Sequence, residues 1–202
     1  MRSYGFTKKE LKILKNLKTP AKIQDFIDKL PYDHEEDVCR SPRMVLRLRK
    51  ANCFSGAIFA AAALKMCGFK PLIIDLRATR DEDHLLAVFR IDGLWGAIGK
   101  SKFVGLRFRE PIFKSIRELV LSYFEFYYNY AHQKTLREYS NPVNLSALDK
   151  YNWMTSEQNI EFVGKYLDTF PHFKIMPRRM EKKIRTVDKV SFVHGIIERK
   201  RR

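Results

Sequence analysis

Apolar and polar positions follow helical or strand spacing along most of this chain, but one stretch is apolar throughout. Residues 54–64 are hydrophobic or small on nearly every helical face, and a helix of that kind belongs inside a core. Gly68 stands where a helix needs a left-handed residue to end, and Pro71 prevents it from resuming. The sequence therefore predicts a central buried helix, followed directly by a buried strand over 72–76.

Capping residues and amphipathic spacing predict further helices around this centre. The predicted helix starts are, in chain order, Thr7, Thr19, Ser115 and Thr155. Residues 43–50 alternate basic with apolar residues and fit either a strand or a short helix, of which we favour the helix. We expect the helix that follows Ser115 to run through Tyr128, with its aromatic side chains packed in the core.

A hairpin is predicted after the buried strand, because Asp-Gly at 92–93 separates two apolar runs. Counting outward from a two-residue turn places His84 opposite Ser101 and on the same face as Gly99. The fold class is thus α+β, with the central helix packed on an antiparallel sheet and additional helices around it. Residues 1–176 form the predicted domain, and 177–202 are a basic C-terminal extension.

Charge is the extreme feature of the composition, with a formal net charge of +16 over 202 residues. Residues 176–202 contain ten Lys or Arg against three acids, an excess of seven positive charges. Such an excess attracts polyanions or an acidic partner by charge alone, and we expect the terminal Glu-Arg-Lys-Arg-Arg to be a solvated tail. No nucleic-acid motif accompanies the charge, so specific nucleic-acid binding is not predicted.

Several other classes of protein find no support in the sequence. No apolar run reaches membrane-spanning length and no signal-peptide core is present, so a cytoplasmic protein without membrane association is expected. The three cysteines form no paired framework and are expected to be reduced. Neither ligand spacing among the five histidines nor a glycine-rich phosphate loop occurs, so no metal or cofactor is predicted.

Candidate chemistry centres on Cys53 and His84. Cys53 lies at the start of the central helix, where unpaired N–H groups and the helix dipole favour a thiolate. His84 begins the hairpin strand and supplies a compatible base. Because a lone cysteine in an alanine-rich helix is commonly just a small hydrophobic residue, these features alone are a weak signal.

The arrangement resembles the transglutaminase-like superfamily of papain-type cysteine acyl-transfer enzymes. The resemblance covers residues 51–100: Ala-Asn-Cys opening a buried helix, Gly68 and Pro71 before a strand, then His84, a hairpin and Trp95 on the return strand. The wider stretch 19–177 is similar to uncharacterised bacterial proteins described as transglutaminase-like. The resemblance implies that Cys53 is the nucleophile and His84 its base.

One position departs from the family pattern. The family carries a catalytic Asp four residues after the Trp, and here that residue is Gly99. Ser101 is the candidate acceptor for the imidazole, while a one-residue slip would bring Lys100 there instead. Asp81 and Asp83 are alternatives from the preceding turn.

The oxyanion stabiliser that acyl transfer requires is also open at this point. The backbone N–H of Cys53 is one candidate donor, and Asn52 and Arg43 are two others.

Two functions from different classes follow. In the first, Cys53 and His84 carry out acyl transfer or amide or isopeptide hydrolysis on a protein or peptide-like substrate. In the second, the fold no longer catalyses and is a binding module with a basic surface, suited to an acidic partner. Retention of Cys53 and His84 favours the enzyme, whereas Gly99 favours the binding module.

Overall fold

The computed structural model describes residues 4–35 and 37–197, which form an α+β fold with an antiparallel sheet, as predicted. The helices are α1 (Lys8–Asn16), α2 (Pro20–Asp28), α3 (Pro42–Leu48), α4 (Cys53–Met66), α5 (Ile116–Phe124), α6 (Glu161–Asp168), α7 (Arg178–Glu181) and α8 (Lys189–Gly195). The strands are β1 (Leu72–Ala78), β2 (His84–Ile91), β3 (Leu94–Ile98), β4 (Arg109–Phe113), β5 (Leu136–Ser140), β6 (Val143–Asn144) and β7 (His172–Lys174). Segments Val104–Leu106 and Leu145–Tyr151 are 3-10 helices.

The sheet has the strand order β4-β3-β2-β1-β5-β7, and β6 also pairs with β1. Strands β2 and β3 form the predicted hairpin. Asp92 and Gly93 have φ values of 48° and 84°, the two positive values that a type I′ turn needs. Arg90 pairs with Trp95 as predicted. The turn therefore fixes the register that sets the position of His84 at the far end of β2.

The central helix α4 lies on one face of this sheet, and residues 55–64 of it are all buried. Helices α1, α2 and α3 pack around it, and the Phe26 ring of α2 stacks on Phe59 with 5.1 Å between centroids. A Cβ at Gly56 would lie only 2.4 Å from the Lys100 Cβ. Glycine at 56 therefore lets the chain leaving β3 cross closely over the first turn of α4.

Lys100 is buried at this crossing, and its ammonium caps the end of α2. The Nζ atom donates to the carbonyls of Ile27 and Leu30, at 2.9 and 2.5 Å. A cation is favourable there because the C-terminal carbonyls of a helix carry partial negative charge. The alternative register, which would have brought Lys100 opposite His84, does not occur.

Helix α5 and an aromatic cluster pack against the opposite face of the sheet. Tyr123, Tyr127 and Tyr128 are buried, which confirms the predicted core role of the aromatic run. The helix ends at Phe124, so the prediction that it runs through Tyr128 is wrong. The N–H of Phe126 bonds back to the Tyr123 carbonyl. The Tyr127 carbonyl then accepts from the N–H of Thr135, the residue just before β5.

Helix α6 begins later than predicted. Ile160 precedes its first turn, and the N–H groups of Thr155 and Ser156 both donate to the Asn152 carbonyl. Those two residues therefore close the preceding 3-10 segment and do not cap a helix. The predicted inward positions, among them Val163 and Leu167, are buried.

The C-terminal segment folds back along the aromatic cluster. Phe192 of α8 stacks on the His132 ring with 3.9 Å between centroids, and the Tyr128 hydroxyl donates to the Ser191 carbonyl at 3.1 Å. The terminal Glu-Arg-Lys-Arg-Arg lies outside the described residues. None of the helices in the described part of the chain combines the length and apolarity needed to cross a bilayer.

Candidate active site

Cys53 is the first residue of α4, and its position is set by the cap of that helix. The Asn52 side chain accepts from the Ser55 N–H at 2.8 Å and donates to the Val38 carbonyl at 2.8 Å. This cap confirms that Cys53 lies in the first turn, as predicted. Both the oxygen and the nitrogen of the Asn52 carboxamide, a candidate oxyanion donor, are therefore already hydrogen bonded within the cap.

Arg43, another candidate donor, has a different role. Its guanidinium pairs with Glu10 at 3.0 Å and donates to the carbonyls of Thr155 and Gly5 at 2.9 and 2.6 Å. Arg43 therefore joins α1 to the segment before α6, and it is not among the residues that line the cavity described below.

His84 is the first residue of β2 and is buried, with only 4% of its surface exposed. Its Nε2 atom lies 2.9 Å from the Leu106 carbonyl oxygen. Because a carbonyl can only accept, we assign the proton to Nε2 and the free lone pair to Nδ1. The Tyr127 ring packs edge-on against the imidazole, with 6.3 Å between centroids. The base nitrogen of the resting site is therefore Nδ1.

Gly99 leaves the space in which this contact forms. A Cβ at position 99 would lie 2.6 Å from Leu86 Cδ2, 3.0 Å from the Leu106 oxygen and 3.3 Å from His84 Nε2. The buried Gln24 side chain holds the glycine by bonding both its N–H and its carbonyl, at 3.2 and 2.9 Å. A backbone carbonyl thus contacts the imidazole beside the position where the family resemblance implies a carboxylate.

Ser101 lines the same cavity, but its hydroxyl accepts from the Phe103 N–H at 3.0 Å. The partner of the imidazole is the Leu106 carbonyl and not the Ser101 hydroxyl. The two acids proposed as alternatives lie in the turn before β2 and bond to other groups. Asp81 accepts from the Thr135 hydroxyl at 2.6 Å, and Asp83 accepts from the Ala78 N–H at 2.8 Å.

Cys53 and His84 line one small cavity of about 40 Å³. At ~10–15 Å³ for each water centre, it has room for a few water molecules. Four of its lining residues also line a second pocket of about 430 Å³ that opens outward. The shared residues are Asp81, Glu82, Lys102 and Phe103. The larger pocket is therefore the natural approach to the thiol.

Burial favours the neutral form of both the Cys53 thiol and the His84 imidazole. It raises the pKa of the Cys53 thiol, although hydrogen bonds from the Tyr32 hydroxyl and the Phe54 N–H act in the opposite direction. Burial also lowers the pKa of His84 to about 4, against a smaller opposite effect of the Leu106 carbonyl. The predicted thiolate is therefore wrong for the resting protein, because desolvation outweighs the favourable end of the helix.

Two groups that contact the pair had not been identified from the sequence. Tyr32 follows α2 in a polar connection, and its backbone is tied beside Ala51 by bonds from Ala51 to Pro31 and from Asp33 to Ala51. Leu106 acts through its carbonyl, which every residue possesses. Only the absence of a side chain at Gly99 marked this region as unusual.

The C-terminal segment contacts the wall that the two pockets share. The Ile197 N–H donates to the Lys102 carbonyl at 2.8 Å, and Ile196 bridges to Phe103. Part of the predicted extension is therefore packed beside the candidate site.

Comparison of the sequence with protein families and curated proteins identifies no relative. Neither the protein-family models nor the curated proteins give a match to this chain. Within residues 4–35 and 37–197, no three His, Cys, Asp or Glu side chains gather closely enough to hold a metal ion.

Proposed function

We propose that the protein is a cysteine-dependent acyl-transfer enzyme of transglutaminase-like fold that hydrolyses or exchanges an amide or isopeptide bond. One observation carries the proposal: Cys53 and His84 line a single cavity, and the Leu106 carbonyl holds the imidazole in one tautomer. The substrate is a protein or peptide-like amide that approaches through the larger pocket.

The reaction begins with both groups neutral. Cys53 Sγ attacks the carbonyl carbon while its proton passes to His84 Nδ1, and the electron pair of the C=O bond moves onto oxygen. When the C–N bond breaks, the carbonyl re-forms and His84 gives the proton to the leaving amine. Water or an amine then attacks the thioester with His84 as base, and Cys53 regains its proton as the C–S bond breaks.

Proton transfer must accompany the attack because no ion pair exists beforehand. The buried imidazole has a pKa of about 4, and its orienting partner is a neutral carbonyl that offers less stabilisation to an imidazolium than a carboxylate would. We therefore expect a normal solvent deuterium isotope effect on acylation. A preformed thiolate and imidazolium would not need a proton to move in that step.

The test is acylation by p-nitrophenyl acetate, with the modified peptide identified by mass spectrometry. The expected result is acetylation of Cys53 in the unmodified protein, and at least a ~100-fold slower reaction in His84→Ala, the usual scale of general-base catalysis. Cys67→Ala is the matched control, because Cys67 lies at the opposite end of α4 and donates to the Leu17 carbonyl. Acylation that is unaffected by loss of His84 would overturn the proposal.

A second candidate, a binding module without activity, is favoured by the neutral thiol and imidazole and by the net charge of +16. An acidic partner fits that charge. On this alternative, Cys53→Ala keeps the same partners in a pull-down and the unmodified protein is not acylated. If the partners are lost with so small a change, the binding-module alternative is ruled out.

A further inference from the structure

Tyr32 and Cys53 line the same small cavity, and hydrogen bonding by the Tyr32 side chain acts to lower the pKa of the Cys53 thiol. The Tyr32 backbone bridges Ala51, two residues before the thiol. The Lys102 ammonium lies 5.0 Å from the centroid of its ring, a cation–π contact that holds the ring from the side of the larger pocket. Neither contact is explained by core packing alone, since Tyr32 is only partly buried.

The geometry of acyl transfer gives this hydroxyl a task. In the tetrahedral adduct, the oxygen that carries the negative charge is attached to the carbon bonded to Cys53 Sγ. The sulfur and that oxygen are bonded to the same carbon atom. A donor close to the sulfur before reaction is therefore also close to the oxygen in the adduct. The Phe54 N–H likewise acts to lower the pKa of the thiol, so a side-chain donor and a backbone donor lie close to the sulfur.

The protonation state of Tyr32 suits such a donor. Burial, followed by the neighbouring Cys53, raises the pKa of the Tyr32 hydroxyl well above its usual range. The group therefore keeps its proton across the working range of a cysteine enzyme. The other candidate side chains are engaged elsewhere, Asn52 in the cap of α4 and Arg43 with Glu10.

We propose that the Tyr32 hydroxyl is a catalytic residue that donates a hydrogen bond to the oxyanion during acyl transfer, together with the Phe54 N–H. The inference rests on the proposed function. As the S–C bond forms and the C=O electron pair moves to oxygen, the donor turns from sulfur to that oxygen and keeps its own proton. It returns to the sulfur when the carbonyl re-forms.

Tyr32→Phe separates this role from simple positioning of the thiol, because the ring and its contact with Lys102 are retained. Two reactions of Cys53 are compared at one pH: acylation by p-nitrophenyl acetate, which forms an oxyanion, and alkylation by iodoacetamide, which does not. We expect acylation to slow by ~10²–10³-fold, as when one oxyanion donor is removed. Alkylation should change by less than about tenfold, the scale of one neutral hydrogen bond.

Tyr151→Phe is the matched control, since Tyr151 is exposed and lines neither of the two pockets. It should leave both rates unchanged. If Tyr32→Phe slows acylation no more than alkylation, the inference is overturned while the proposed function stands. If the unmodified protein is not acylated at Cys53, both fail. A circular dichroism spectrum that matches that of the unmodified protein shows that the variant is folded.

Discussion

His84 makes the stability of the fold depend on pH in a way that can be calculated. Its pKa is about 4 in the folded protein against 6.5 when unperturbed, because burial disfavours the imidazolium. Below pH 6.5 the His84 imidazole is protonated in the unfolded chain but stays neutral in the folded chain. The folded state therefore loses stability as the pH falls towards 4. A difference of about 2.5 in pKa, at ~1.4 kcal/mol for a difference of one, amounts to ~3.5 kcal/mol well below pH 4. At pH 4 itself, where about half of the folded chains already carry the proton, the loss is about 3 kcal/mol.

The comparison is between the unmodified protein and His84→Gln, which does not titrate and can still donate to the Leu106 carbonyl. Urea unfolding at pH 7.5 and pH 4, followed by circular dichroism, gives the free energy of unfolding of each. The unmodified protein should lose about 3 kcal/mol more than the variant between the two conditions. Equal losses, within ~0.5 kcal/mol, would show that His84 is not held neutral by burial.

Three further substitutions test the local geometry by urea unfolding at neutral pH. Gly99→Asp should lower the free energy of unfolding by about 2 kcal/mol, since the new Cβ would crowd Leu86, Leu106 and His84. Unchanged stability would contradict the close approach of these groups. Gly68→Ala should cost about 1 kcal/mol, because φ is +91° but no atom lies within 4 Å of the new Cβ; a much larger loss would mean that the site is crowded after all. Lys100→Met should cost about 2 kcal/mol by leaving the Ile27 and Leu30 carbonyls without their buried donor, and a neutral result would argue against a cap on α2.

The parts of the fold that the sequence predicts are those controlled by neighbouring residues. The capping box of Thr7 and Glu10, the left-handed Gly68 and the Asp-Gly turn each act within a few positions, and each is present. The start of α6 was predicted wrongly because Thr155 and Ser156 bond back to the Asn152 carbonyl and do not cap a helix. The end of α5 was predicted wrongly because distant contacts decide it. Tyr127, for example, leaves the helix to donate from its hydroxyl to the Glu82 carbonyl at 2.7 Å.

The same division applies to the candidate site. The hairpin register places His84 at the start of β2, and the helix cap places Cys53 at the start of α4, so both positions follow from local sequence. The protonation of the pair did not follow, because it depends on how deeply the surrounding chain buries each group. Nor did the Leu106 carbonyl, since a backbone acceptor has no residue type that would reveal it.

The glycine at position 99 and the neutral pair are best understood as one arrangement. A carboxylate beside a buried imidazole would favour the imidazolium, and would thereby favour a thiolate at Cys53. The Leu106 carbonyl orients the ring without contributing a full charge, so desolvation decides both protonation states. Gly99 is what allows that carbonyl to approach, because any Cβ would crowd it at 3.0 Å. If the site is catalytic, its reactivity must therefore arise during the attack itself, from proton transfer to His84 and from donors such as the Tyr32 hydroxyl.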